Sequence, residues 1–177
     1  MIDHPPGSSR LRSDDQVLFL DFDGVLHPDS VYRTRHGLEL RAEGALMMHA
    51  PILVEILSDF PLVQICLSTS WVRLLGYRRA RAALPEALQA RTVSGTWHSR
   101  MPRAPLHGFD FYTRYEQIRA AASRAGLTRW VALDDDPDHS WPEHDQRLVR
   151  CDSGLGLSAA VTQAELRAKL AAMTKVT

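Results

Sequence analysis

The run QVLFL at residues 16–20 is apolar at every position after its first, and it ends at once in the acidic DFDG of residues 21–24. A strand with one wet face alternates apolar and polar side chains. A run without that alternation has both faces covered, as in the interior of a parallel sheet. Two similar runs follow, LVQICL at 62–67 and WVAL at 130–133, with a shorter one, RLVRC, at 147–151. Between them the spacing turns helical: PILVEILSDF at 51–60, with Pro51 at a first-turn position, WVRLLGYRRARAAL at 71–84, and TRYEQIRAAASRAG at 113–126. Thr113 with Glu116 makes a capping-box pattern, Gly126 is placed to stop that helix, and Thr162 with Glu165 repeats the pattern before a final helix. Strand and helix in alternation predict an α/β fold, doubly wound around a mainly parallel sheet. Residues 28–50 read as a polar connection and 91–110 as an irregular excursion.

At 177 residues and 45% hydrophobic content the chain can bury one sizeable core. The Pro-, Gly-, Ser- and charge-rich residues 1–15 are expected to be a flexible leader, and 16–177 a single domain. Basic and acidic residues balance at 21 each, so average charge favours neither a polyanion nor a membrane surface. No stretch has the roughly 20 apolar residues of a bilayer span, and the first residues lack the apolar core of a signal peptide. A cytoplasmic protein without membrane contact or an evident obligate protein partner is expected. Cys66 and Cys151 belong to no CxxC pair, which fits reduced thiols. Only Lys169 and Lys175 are lysines; every other basic residue is arginine.

In an open parallel sheet, ligands bind beyond the carboxyl ends of the strands. Asp21 and Asp23 follow the first predicted strand, Ser68, Thr69 and Ser70 the second, and DDDPD at 134–138 the third, while Arg114 opens the helix leading into that third strand. Phosphoryl transfer needs these residue types. A carboxylate attacking phosphorus needs a cation to offset repulsion, and acidic groups from two strand ends can hold a Mg2+ that also touches phosphate. Asp21 can attack to give an aspartyl phosphate, and Asp23 can protonate the leaving oxygen and then activate water.

DFDGVL, the hydroxyl cluster after the second strand, the basic residue ahead of the third and the acidic cluster after it resemble the four motifs of the haloacid dehalogenase (HAD) superfamily. LSTSW, TRYEQI, LDDDPDHSW and DSGLGLS are most similar to the HAD domains of Swiss-army-knife RNA repair proteins. The resemblance spans roughly residues 16–170. It implies a phosphatase with Asp21 as nucleophile and metal ligand. Asp23 would be general acid/base and would offer its carbonyl to Mg2+, with Thr69 preferred among the hydroxyls, Asp134 and Asp135 completing the metal site, and Gly24, Ser68, Ser70 and Trp71 lining the substrate. Most members use lysine at the third station; here an arginine must serve, and Arg114 fits by position. A site without a large cap admits a phosphorylated nucleic-acid end, with nucleotides and sugar phosphates as the alternative. A phosphoacceptor switch or a binding module is the alternative of another class.

Each motif also has a plainer reading. DFDG can be an Asp-Gly turn, DDDPD a solvated acidic turn, and STSW a helix N-cap. An EF-hand fails because His139 stands where that loop needs glycine. A cysteine phosphatase fails because CDSGLGL at 151–157 carries no arginine. Arg73, Arg78, Arg79, Arg81, Arg100 and Arg103 suit either a basic rim or a solvated face. Trp71, Trp97 and Trp141 suit either base stacking or burial beside the site.

Overall fold

The structure, a computed structural model, describes residues 11–98, 101 and 112–175. Along the described residues the elements are β1 (Gln16–Leu20), β2 (Val31–Thr34), β3 (Gly37–Leu40), α1 (Ala50–Ser58), β4 (Val63–Leu67), α2 (Ser70–Leu75), α3 (Tyr77–Ala82), α4 (Glu86–Arg91), β5 (Thr92–Gly95), α5 (Arg114–Ala125), β6 (Arg129–Asp134), β7 (Leu148–Arg150) and α6 (Ala160–Thr174). Five strands form one parallel sheet in the order β5-β4-β1-β6-β7. The chain begins at the middle strand, winds outward through β4 and β5, then crosses to the other side for β6 and β7. That reversal opens a crevice at the carboxyl ends of β1 and β6.

The apolar runs bury both faces of the sheet, as their lack of alternation requires. Leu18, Leu20, Ile65, Leu67, Val131 and Leu133 face a layer that includes Leu53 and Ile56 of α1 and Leu166 and Leu170 of α6. Val17, Phe19, Cys66, Trp130 and Ala132 face Ile118, Ala121 and Ala122 of α5 on the other side. Phe19 meets Trp130 edge to face at 5.5 Å. The α/β, doubly wound expectation therefore holds, with both thiols buried and pushed up by that burial, Cys66 to about 12. Among the described residues no helix is long and apolar enough to cross a membrane.

Five local readings need revision. The connection at 28–50 contains an antiparallel hairpin, β2–β3, a small two-stranded sheet of its own. The excursion at 91–110 begins with the edge strand β5, whose polar and small side chains TVSG carry no apolar signal. The segment 71–84 is two helices, broken at Gly76 (φ 86°, ψ 152°). Thr162 caps nothing: α6 starts two residues earlier, after a 3-10 turn at Gly156–Ser158, and Thr162 is buried in its first turn. Residues 11–15 of the expected leader are tied down, because Arg12 N–H donates to Asp15 Oδ2 (2.8 Å), Gln64 Nε2 to Asp15 Oδ1 (3.3 Å), and Leu11 packs against the core cluster that includes Val17, Phe19 and Trp130. Residues 1–10 lie outside the described residues, as do Arg100 and Arg103.

Candidate active site

Pairing of Leu20 with both Leu67 and Leu133 sets the ends of β4, β1 and β6 level, so Asp21, Ser68 and Asp134 share one edge. Asp21 extends β1, donating its N–H to Leu133 C=O (3.1 Å), while its Oδ1 accepts the Phe22 N–H (2.7 Å). Phe22 turns into the core, and its C=O accepts the N–H groups of Val25 (3.2 Å) and Leu26 (2.9 Å). The turn passes through Gly24 at φ 70°, where an added Cβ would lie 2.3 Å from Asp135 Oδ2. Glycine is required there, because any side chain would expel the carboxylate. Gly156 supports the same loop from beneath: its Cβ would lie 2.4 Å from Val25 C=O, which also accepts the Leu157 N–H at 2.9 Å.

Asp21, Asp134 and Asp135 are all buried, and each offers one carboxylate oxygen, all within 4.8 Å of one another. The Arg114 guanidinium bridges two of them, with Nη2 3.2 Å from Asp21 Oδ2 and Nε 3.2 Å from Asp134 Oδ2. Arg114 can do so because it is the first residue of α5, fixed by a capping box. Thr113 Oγ accepts the Glu116 N–H (3.3 Å), and Glu116 Oε2 accepts the Thr113 N–H (2.8 Å). Burial pushes Asp21 well above the usual carboxylate range, with Arg114 opposing and Asp134 reinforcing. Burial likewise pushes Asp134 up to about 6 against Arg114, and raises Asp135 against a hydrogen bond from Ser153. Burial alone would lower Arg114, but Asp21, Asp134 and Asp135 outweigh it and raise it.

The cluster fits a divalent cation. Asp135 Oδ2 is buried with no hydrogen-bond partner, and Asp134 Oδ2 is buried with only the Arg114 ion pair beside it. When ionised, the three carboxylates less the one guanidinium leave two negative charges, and every donor is a hard oxygen, the set suited to Mg2+. Asp136 belongs to the loop instead. Its carboxylate accepts the Ser140 N–H (2.9 Å) and hydroxyl (2.8 Å) and the Trp141 N–H (3.3 Å), and pairs with Arg150 (2.9 Å).

Asp23 stands beside this cluster, half-buried. Trp71 Nε1 donates to both its oxygens, at 3.2 and 3.0 Å. Trp71, expected to line the substrate, is thus turned toward a carboxylate and 97% covered, being 3% exposed. Of the hydroxyls, Thr69 Oγ accepts the Trp71 N–H (3.3 Å) as the N-cap of α2, Ser68 Oγ is buried without a partner, and Ser70 is exposed. Arg78 and Arg79 are exposed on α3, and Arg81 Nε donates to Gln89 C=O (2.9 Å). Trp141 is buried and donates to Asp145 C=O (2.9 Å), while Trp97 is half-buried against the core. Sequence reasoning missed His27, fully buried with Nε2 3.0 Å from Asp23 Oδ1. Its only trace in the sequence is an i, i+4 spacing to Asp23.

No curated protein and no solved structure matches the chain. The family model for the HAD domain in Swiss Army Knife RNA repair proteins matches residues 17–161, from β1 into the start of α6. That match takes in both acidic clusters, the hydroxyls after β4 and Arg114, together with most of the chain. The chain therefore belongs to this family of HAD domains.

Proposed function

We propose that the protein is a Mg2+-dependent phosphomonoesterase working through an aspartyl phosphate on Asp21. The observation that carries the reading is the convergence of Asp21, Asp134 and Asp135 oxygens within 4.8 Å, against the Arg114 guanidinium. Asp21, Asp134 and Asp135 would hold the ion, with the Asp23 carbonyl also offered to it. Bound there, Mg2+ would neutralise phosphate charge.

The Asp21 carboxylate attacks phosphorus, forming a P–O bond as the bond to the leaving oxygen breaks. Asp23 gives its proton to that oxygen, so the departing group leaves as a neutral alcohol. Asp23, now a carboxylate, takes a proton from water as the water oxygen attacks the same phosphorus. The acyl phosphate breaks, inorganic phosphate leaves and Asp21 is restored. Arg114, whose planar fork suits phosphate oxygens, and the Ser68 and Thr69 hydroxyls would hold the phosphoryl group. Ser68 has the hydroxyl without a partner, and Thr69 keeps its hydrogen free to donate.

The substrate is a phosphorylated nucleic-acid end. Supporting this is a described connection at 28–50 that folds only as a small hairpin, and membership in a family found in RNA repair proteins. The test is turnover of p-nitrophenyl phosphate with and without Mg2+, followed by 3'- and 5'-phosphorylated oligonucleotides against nucleotides and sugar phosphates. Repeated Mg2+-dependent turnover with oligonucleotides preferred is expected. Faster sugar phosphate hydrolysis would overturn the substrate, and a single phosphorylation without release would favour a phosphoacceptor.

A further inference from the structure

We propose that His27 is a positioning residue, holding the Asp23 carboxylate in the orientation from which it exchanges a proton. This rests on the reading of Asp23 as general acid and base.

The His27 ring is fully buried, so both nitrogens need partners, and both have one. Nδ1 lies 3.2 Å from the Met47 backbone nitrogen. A backbone N–H can only donate, so Nδ1 is the accepting nitrogen and, in the neutral ring, the proton sits on Nε2. Nε2 then donates to Asp23 Oδ1 at 3.0 Å. The tautomer follows from this network, not from an observed hydrogen. Met47 delivers its N–H from a backbone φ of 61°, a conformation disfavoured for a residue with a side chain, as expected of a segment held by its surroundings.

A second donor comes from a separate element. Trp71, on α2, presents Nε1 to Asp23, and the His27 ring packs against the indole at 5.7 Å. Oδ1 is thus held by the imidazole N–H and Oδ2 by the nearer approach of the indole N–H, so donors from two elements fix both oxygens. With its rotation stopped from two sides, the Asp23 side chain stays 21% exposed.

The test uses three variants of the full chain and two substrates of similar shape, p-nitrophenyl phosphate with a good leaving group and phenyl phosphate with a poor one. His27→Phe keeps ring volume and removes the donor; His27→Gln restores an N–H near the Nε2 position; Trp71→Phe removes the other donor. If Asp23 is misplaced, protonation of the leaving oxygen suffers, and the poor leaving group suffers most. His27→Phe should lower kcat/KM for phenyl phosphate at least about tenfold more than for p-nitrophenyl phosphate, with Trp71→Phe shifting the ratio the same way and His27→Gln returning it toward wild type. Equal losses on both substrates, with the wild type active, would overturn the positioning role alone. A wild type inactive on both substrates with Mg2+ would overturn the reading of Asp23 and the positioning role with it. Independently of folding of any variant, nitrogen NMR of the wild-type imidazole should show a protonated Nε2 and a bare Nδ1; the opposite tautomer would overturn the proposal.

Discussion

Asp21 and Asp23 sit two residues apart yet in different electrostatic settings, and this separates what their variants should do. Asp21 is buried among carboxylates and bridged by Arg114, while Asp23 faces an indole N–H and an imidazole. Asp21→Asn should abolish turnover, with residual activity at least about a thousandfold below wild type, because an amide neither attacks phosphorus nor supplies the missing charge. Asp23→Asn should be nearly as slow in steady state, yet still accumulate phosphoenzyme from p-nitrophenyl phosphate, seen by acid-quench labelling; absence of any label would remove Asp21 as nucleophile. Gly24→Ala tests the close approach beneath the carboxylates proposed to hold Mg2+. A left-handed φ costs a side-chain-bearing residue roughly 1–2 kcal/mol, and the Cβ lies 2.3 Å from Asp135 Oδ2. The melting temperature should fall by several degrees, and Mg2+ affinity, read by calorimetric titration, should fall with it. Unchanged affinity would mean Asp135 is no ligand. At this scale the acidic residues were legible as candidates because each cluster follows an apolar run, and Arg114 because it opens the helix leading into the third strand. His27 was not, since its meaning depends on an N–H from Met47, 20 residues on, that no local pattern encodes.

The helix α5 converts a local signal into a remote placement. The capping box at Thr113 and Glu116, readable in the sequence, sets the first turn from which Arg114 reaches both Asp21 and Asp134. Thr113→Ala should therefore cost about 1 kcal/mol of stability through the lost cap, a fall of roughly 2–4 °C in melting temperature. Fraying of that turn should also raise KM for phosphate esters several-fold. A melting shift with kinetics unchanged would show that Arg114 holds its place without the cap. Of the strands read correctly, β1, β4 and β6 lie inside the sheet, where burial on both faces writes itself as continuous hydrophobicity, and the edge strand β7 was legible through its buried Leu148 and Val149. The hairpin β2–β3 is half exposed along both strands, and β5 is an edge strand of small residues. Such strands are held by backbone pairing and by single contacts such as the Thr96 N–H to Leu67 C=O (2.8 Å), which leave no periodicity to detect.

For the molecule as a whole, the strand order that converges the three carboxylates also burdens the metal-free fold with buried charge. Asp134 is pushed up to about 6, and Asp21 and Asp135 are raised as well, whereas the unfolded chain returns them to near 4. From about pH 4 through the Asp134 value of about 6 the folded chain thus binds more protons than the unfolded one, so metal-free stability falls as pH rises through that range. A divalent cation competes with those protons for the same oxygens, so its stabilising effect should grow over the same interval. At pH 7.5, Mg2+ at about a hundred times its dissociation constant contributes roughly 2.7 kcal/mol, a rise on the order of 5–10 °C in melting temperature over an EDTA-treated sample. At pH 5 the two samples should melt within about a degree of each other at the same Mg2+ concentration. Calorimetric scans of the full chain at both pH values, with Asp134→Asn as control, test this. The asparagine variant should weaken the pH dependence and lose most of the Mg2+ increment together, because Asp134 contributes to both. An increment equal at pH 5 and 7.5, or one surviving Asp134→Asn intact, would place the cation somewhere other than the crevice between β1 and β6.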